Sequence, residues 1–154
     1  MKIDQLKQIK AALDELAKTP TSLALVIARN LSKINSVIKH ADSDFTEAQK
    51  MLFEKDEKGD PINYVGDQFA NIVTEDGKEV LFTKETKLLP GQTVVHKYTD
   101  IEAAKKIKEE YVNEEHDIEL NTFNQSVLDQ AIESGAISAS VLVPLIGNMI
   151  PETE

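Results

Sequence analysis

The side chains best suited to chemistry are few and scattered. The three histidines, His40, His96 and His116, lie far apart, and none has a second histidine at the spacing a zinc site uses. Glu114, Glu115, His116 and Asp117 would suit a divalent ion by residue type, but four adjacent residues at a helix end do not converge on one point. Asp42-Ser43-Asp44 and Asp56-Glu57-Lys58-Gly59-Asp60 lack the alternating ligands, central glycine and final glutamate of a calcium loop, and read as turns. Gly77-Lys78 lacks the upstream glycine and the following hydroxyl of a phosphate loop. The chain has no Gly-x-Ser-x-Gly elbow, no carboxylate pair set apart from the general acidity, and no cysteine. No catalytic, cofactor-binding or metal-binding residue is assigned, no cofactor is expected, and a non-enzymatic protein is expected.

What the sequence does contain is a device for packing. Ala24, Ile27, Leu31, Ile34, Ile38, Ala41, Phe45, Ala48 and Leu52 recur in steps of three and four, a seam repeating every 3.5 residues. A helix from 22 to about 55 would be roughly 50 Å long, longer than the ~40 Å diameter of a compact domain of this size. A shorter helix precedes it, with Ile3, Leu6, Ile9, Leu13 and Leu16 on one face. It should end at Lys18, because Thr19 precedes Pro20, and Thr21 or Ser22 then caps the long helix. The short helix cannot cover the whole seam, so part of it needs the C-terminal helices or a second copy of the chain. Ile27, Leu31, Ile34, Ile38, Phe45 and Leu52 are the candidate partner interface; the competing reading places them in the protein's own core. Asp44 with Glu47 resembles a capping box that would split the long helix, but the seam keeps its register there, which favours a continuous helix.

Charge divides the chain. The 154 residues carry 27 acids and 17 bases, a net of −10. Residues 1–58 hold ten bases and nine acids, whereas 59–154 hold seven bases and eighteen acids. Eight acids and no base fall within 109–133, and Arg29 is the one arginine. Without a basic patch interleaved with aromatics, direct nucleic-acid binding is not expected. No stretch approaches the 18 or so apolar residues of a membrane span, and the start has no apolar signal region, so no membrane association and a location in a virion or host cytoplasm are expected.

The remaining elements make an α+β protein. Phe69–Thr74 and Lys78–Phe82 flank Glu75-Asp76-Gly77, a strong hairpin signal, and Thr93–Tyr98 offers a third strand after Leu89-Pro90-Gly91. The expectation is a small antiparallel sheet of two or three strands. Thr99-Asp100-Ile101-Glu102 opens a helix as a capping box, with Ile101, Ala104, Ile107 and Tyr111 on one face. A short strand is expected at 117–121, a helix around Val127–Ile132 ending at Gly135, and a last helix capped by Ser138 and bent at Pro144. Residues 1–154 are expected to form a single domain: a helical hairpin at 1–58, a β-hairpin insertion at 59–98, an acidic helical segment at 99–150 and a frayed tail at 151–154.

Three segments carry a resemblance: Leu23-Ala24-Leu25-Val26-Ile27-Ala28-Arg29-Asn30-Leu31; the turn Glu54-Lys55-Asp56-Glu57-Lys58-Gly59-Asp60; and Tyr111–Leu120 followed by Ile137-Ser138-Ala139-Ser140-Val141-Leu142. With the order of elements, they resemble small uncharacterised proteins of tailed bacteriophages of low-GC bacteria. The stretch 60–98 departs from the shorter connection of those proteins. The resemblance implies phage origin and supplies no functional residues. The expected function is a structural or assembly component of a phage particle, oligomeric and touching itself or other virion proteins through the helical seam. The alternative is a small acidic inhibitor of a host protein that presents 109–133 as a nucleic-acid mimic.

Overall fold

The computed structural model describes residues 1–18 and 22–150; the expected boundary at Thr19-Pro20, the Thr21 cap and the tail 151–154 lie outside the described residues. The fold is α+β, in the order α1 (Ile3–Ala17), α2 (Ala24–Met51), β1 (Tyr64–Asp67), β2 (Thr74–Glu75), β3 (Lys78–Glu79), β4 (Gln92–Val95), α3 (Ile101–Asn113), α4 (Gln125–Glu133) and a 3-10 helix (Ala139–Leu145). The chain groups into two compact units rather than three successive segments. Unit 1 comprises Met1–Asp44 with Glu109–Glu154, and unit 2 comprises Phe45–Lys108.

Unit 1 is built on the two periodic helices. α1 buries the expected stripe Ile3, Leu6, Ile9, Leu13 and Leu16, with Ala12 beside it. α2 runs unbroken for 28 residues, about 42 Å at 1.5 Å per residue. The helix is continuous through Asp42 to Thr46, as the unbroken register of the seam favours. The Asp42 carboxylate is taken by the Tyr111 hydroxyl and by Lys7 Nζ at 3.3 Å, which keeps it from competing for the helix backbone. α2 stops at Met51, short of 55, because residues 53–54 turn to the chain at 97–98: Phe53 bridges Tyr98, and Glu54 N donates to Lys97 O at 2.8 Å.

The seam faces inward. Ile27 is 2% exposed and Ile34 fully buried; they pack with Leu6, Ile9, Leu13 and Leu16 of α1 and with Phe123, Leu128, Ile137, Leu142, Leu145 and Met149. Leu31 and Ile38 are half-buried against the same cluster. These four positions therefore do not form a free partner interface; the C-terminal elements cover them. Phe45, on the part of α2 that belongs to unit 2, and Leu52, just past its end, are half-buried.

The C-terminal part of unit 1 departs from the expected elements in two places. No strand forms at 117–121, although Ile118 and Leu120 still turn toward the core. The last helix is of the 3-10 kind and contains Pro144, which supplies no N–H. Ser138 precedes it without a side-chain cap; its hydroxyl meets that of Ser140 at 2.8 Å. α4 forms as expected, capped by Asn124 through Val127 N at 3.2 Å and followed by Gly135 at φ +72.

Unit 2 holds two small antiparallel sheets. The Asp76-Gly77 hairpin is present, with positive φ at both residues, but β2 and β3 are only two residues each and exposed. The longer pair is β1 with β4, in register Tyr64↔Val95 to Asp67↔Gln92. β1 was not among the expected strands. It lies between β4 and the chain on its other side, where Val73 N donates to Val65 O, Val65 N to Val80 O, and Phe82 N to Asn63 O. Phe69 lies in a turn, not a strand. Gly66 faces Val95 so closely that a Cβ would sit 2.5 Å from Val95 Cγ1, so any side chain there would displace Val95 or the strand that carries it. α3 is capped by Asp100, which accepts from Ala103 N at 3.0 Å; Thr99 instead donates to Leu52 O through both its N–H and its hydroxyl.

A charge at the centre of the seam tests this assignment. Ile34→Asp places an unpaired carboxylate at a site with no exposure and should destabilise unit 1 by about 4 kcal/mol or more. Circular dichroism should show lost helix and a collapsed thermal transition. A variant that melts like the parent would put Ile34 at a surface.

Candidate functional site

Three sets of polar side chains converge in unit 1, and each does structural work. The deepest is centred on Asn30, one step before Leu31 of the seam and fully buried. Its Nδ2 donates to Asn121 O at 2.9 Å and reaches Met149 Sδ at 3.5 Å. Its Oδ1 accepts from Asn121 N at 2.8 Å and from Asn121 Nδ2 at 3.3 Å. One amide thus supplies both backbone bonds that a neighbouring strand would have given residue 121. One turn further along α2, Lys33 Nζ donates to Glu119 O at 2.7 Å. The 117–121 segment is held by side chains of α2 in place of a β ladder, which is why no strand forms there.

A second set ties α1, α2 and α3. Lys7 Nζ donates to the Tyr111 hydroxyl at 2.7 Å, and that hydroxyl donates to Asp42. Tyr111 is shifted above its ordinary pKa, first by burial and then by the Asp42 bond. Lys7 is also shifted up, chiefly by its bond to Tyr111. Lys18, Lys97 and Tyr64 shift the same way, the lysines through bonds to Glu15 and Glu79 and Tyr64 through burial. Each such shift holds the group in its protonated form, away from the nucleophilic state that catalysis by lysine or tyrosine uses.

The third set involves the run Glu114–Asp117. The amino group of Met1 donates to His116 O at 2.8 Å and pairs with Glu115 at 2.9 Å, while His116 N donates to Met1 O at 2.9 Å. The Glu115 carboxyl falls below its usual range through that hydrogen bond to the amino group. A cleft of about 230 Å³ lies alongside, lined by Ser36, Val37, His40, Ala41, Asp44, Glu114 and His116. His40 Nδ1 is held by Ser36 O at 2.7 Å. Among the described residues, no three histidine or carboxylate side chains come together to hold a metal ion.

The other singled-out groups sit in unit 2. Asp56 Oδ1 accepts from Lys58 N at 2.8 Å and Asp60 N at 3.0 Å, so this segment is a turn closed on its own carboxylate. His96 packs on Phe53 with ring centroids 4.5 Å apart and reaches Ile62 O at 3.1 Å.

The surface is more distinctive than the polar clusters. Unit 2 buries only two large apolar side chains, Tyr64 and Val65, and leaves Met51, Phe69, Leu81, Leu88, Leu89 and Ile101 exposed. The acids of 109–133 are all exposed, and by sequence unit 1 carries a net of −8 against −2 for unit 2. Of the six expected interface residues, the structure brings Ile27, Leu31, Ile34 and Ile38 together inside unit 1, and leaves Phe45 and Leu52 half-buried in unit 2. Sequence periodicity did not point to Phe69 or Leu89. Their signal was an apolar residue next to turn chemistry, in Asp67-Gln68-Phe69-Ala70-Asn71 and Leu89-Pro90-Gly91.

Two substitutions test these ties. Asn30→Ala takes the Asn30 partner from both the N–H and the C=O of the half-buried Asn121 and should cost about 2–4 kcal/mol in chemical denaturation; a loss under 1 kcal/mol would mean the segment is ordered by packing alone. For the second tie, the folded pKa values of Lys7 and Tyr111 lie above the unfolded ones, so their contribution is complete below pH ~10 and is lost as pH rises through the folded values. Tyr111→Phe should flatten the alkaline limb of a stability–pH profile and leave the acid limb unchanged. An unchanged alkaline limb would remove Tyr111 from that role.

Comparison with protein-family models, curated proteins and solved structures finds no match to this chain.

Proposed function

We propose that the chain is a non-enzymatic structural or assembly component of a bacteriophage particle, acting in the particle or the host cytoplasm through contacts with other copies of itself or other particle proteins. One observation carries this reading: unit 2 spans 64 residues, yet it buries two large apolar side chains and exposes six. A unit that buries so little is marginal on its own, and protein partners that cover it supply the missing burial. The exposed side chains of unit 2 support a contact surface there in preference to the α2 seam, whose central residues are already covered. The upward shifts of the lysines and tyrosines agree with a non-catalytic role. Phage origin rests on the sequence resemblance alone.

A second reading has one observation in its favour. The eight exposed acids of 109–133, with no base among them, suit an inhibitor that mimics nucleic acid toward a host protein.

Mass spectrometry of purified particles, and of head and tail intermediates, of the phage that encodes the chain separates the two. The assembly reading expects the chain in one of these fractions in many copies. Its absence from all of them would contradict that reading. Recovery instead on a host nucleic-acid-binding protein, in a complex that dissociates as salt rises, would favour the mimic.

A further inference from the structure

The tip of the β2–β3 hairpin places a carboxyl group where it can react with the backbone beside it. Such a reaction needs an aspartate followed by an amide nitrogen that no Cβ crowds and no hydrogen bond ties up. Asp76-Gly77 meets each requirement. Gly77 brings no Cβ, and nothing lies within 4 Å of where one would sit. β2 and β3 pair Thr74 with Glu79 and Glu75 with Lys78, which leaves the Gly77 N–H outside the ladder. Among the described residues, that N–H has no acceptor, and the Asp76 carboxylate has neither a donor nor a counter-ion. Residues 74–79 are all exposed.

The other aspartates of turns and caps differ on these points. Asp56 Oδ1 is held by Lys58 N and Asp60 N, Asp67 Oδ1 by Phe69 N and Asn71 N, and Asp100 Oδ1 by Ala103 N. Each is also followed by a residue with a Cβ: Glu57, Gln68 and Ile101. Ring closure at Asp76 rotates its backbone out of the left-handed turn that holds it at φ +51, so the tip must open first. Opening is easy, because the tip is closed by two exposed residue pairs and the surface ion pair of Glu79 with Lys97 at 2.6 Å.

We propose that Asp76 is a site of spontaneous covalent modification, rearranging to isoaspartate by way of a cyclic imide. The Gly77 nitrogen bonds to Asp76 Cγ, and its proton leaves with the carboxyl hydroxyl as water. A second water then opens the imide. Cleavage of the Cγ–N bond restores aspartate, whereas cleavage between the nitrogen and the main-chain carbonyl carbon leaves the chain running through Cγ. No oxidant takes part, and water is the only co-reactant. The product carries an extra methylene in the main chain, at the two-residue turn that sets the register of β2 and β3. Beneath the tip, Val80 N donates to Val73 O, and the same two residues bond Val65 of β1. The second edge of β1 therefore loosens as the protein ages. The proposal goes beyond the assembly reading and does not depend on it.

Storage of the full chain at neutral pH and physiological temperature, sampled over weeks, tests the proposal. Peptide mapping with electron-transfer fragmentation should find isoaspartate at Asp76 well ahead of Asp56, Asp67 and Asp100 in the same sample. A peptide lighter by one water, the imide, should precede it. Methylation of the aged chain by an L-isoaspartyl methyltransferase with S-adenosylmethionine gives an independent count. Asp76→Glu keeps the charge but needs a larger ring, and should abolish the product at this position. Gly77→Asn tolerates the positive φ but adds a Cβ, and should slow the reaction severalfold. The modified chain, separated by anion exchange, should melt below the unmodified one. Isoaspartate at Asp76 no more frequent than at the three held aspartates overturns the proposal, as does a rate that Gly77→Asn leaves unchanged. A modified chain that melts like the unmodified one overturns the loosening of β1.

Discussion

A single buried amide holds the irregular part of unit 1 in place. Asn30 has no contact with solvent and spends its side chain on the backbone of Asn121 and on Met149. The segment it holds leads from α3 to α4 without a ladder of its own, and each of its buried backbone groups needs a partner. Once Asn121 is fixed, Phe123 N reaches Met149 O at 3.0 Å, and the C-terminal stretch closes over α2. Phe123, Leu128, Leu142, Leu145 and Met149 then complete the core that the helical hairpin begins. A polar residue in an apolar seam is costly without partners and specific with them: only one register of the 117–123 segment satisfies it.

The two units divide labour by what they bury. Unit 1 encloses an extended apolar cluster and carries most of the negative charge on its outside. Its hydroxyl, ammonium and carboxylate groups meet one another in ties such as Lys7–Tyr111–Asp42, which stabilise and do not activate. Unit 2 is nearly neutral in net charge and thinly cored, and it exposes six large apolar side chains. Its order comes from backbone bonding, from the Phe53, His96 and Tyr98 rings, and from the close approach of Gly66 to Val95. That contrast between a self-sufficient unit and one with exposed apolar side chains underlies the reading of the protein as a component of an assembly.

The helices were legible because their periodicity is long and regular. The stripes of α1 and α2, the Asp-Gly turn and the stop at Gly135 could all be read from spacing and turn chemistry. Four features could not. β1 is four residues with a glycine at its centre, too short for alternation to register, and its longest pairing is with β4, far away in sequence. The 117–121 segment alternates like a strand, yet its backbone partner is a side chain of α2, which no local pattern encodes. The seam was read as a packing device; the choice between the C-terminal helices and a second copy as its cover was open, because the apolar residues of the C-terminal stretch are irregularly spaced around Pro144. The exposed Phe69 was hidden for the opposite reason: it looked like the start of a strand, and the Asp67 carboxylate turned it into the tip of a loop.

The Asn30 clamp makes a direct demand on one amide. Among the described residues, Asn121 N–H has no backbone acceptor and its bond goes to Asn30 Oδ1. Hydrogen exchange followed by NMR on the wild-type chain should find it protected to the level of the core amides around Ile27 and Ile34, although it lies outside any helix or sheet. If Asn121 exchanges as freely as an exposed loop amide, the side-chain clamp does not hold the segment and the account of unit 1 fails.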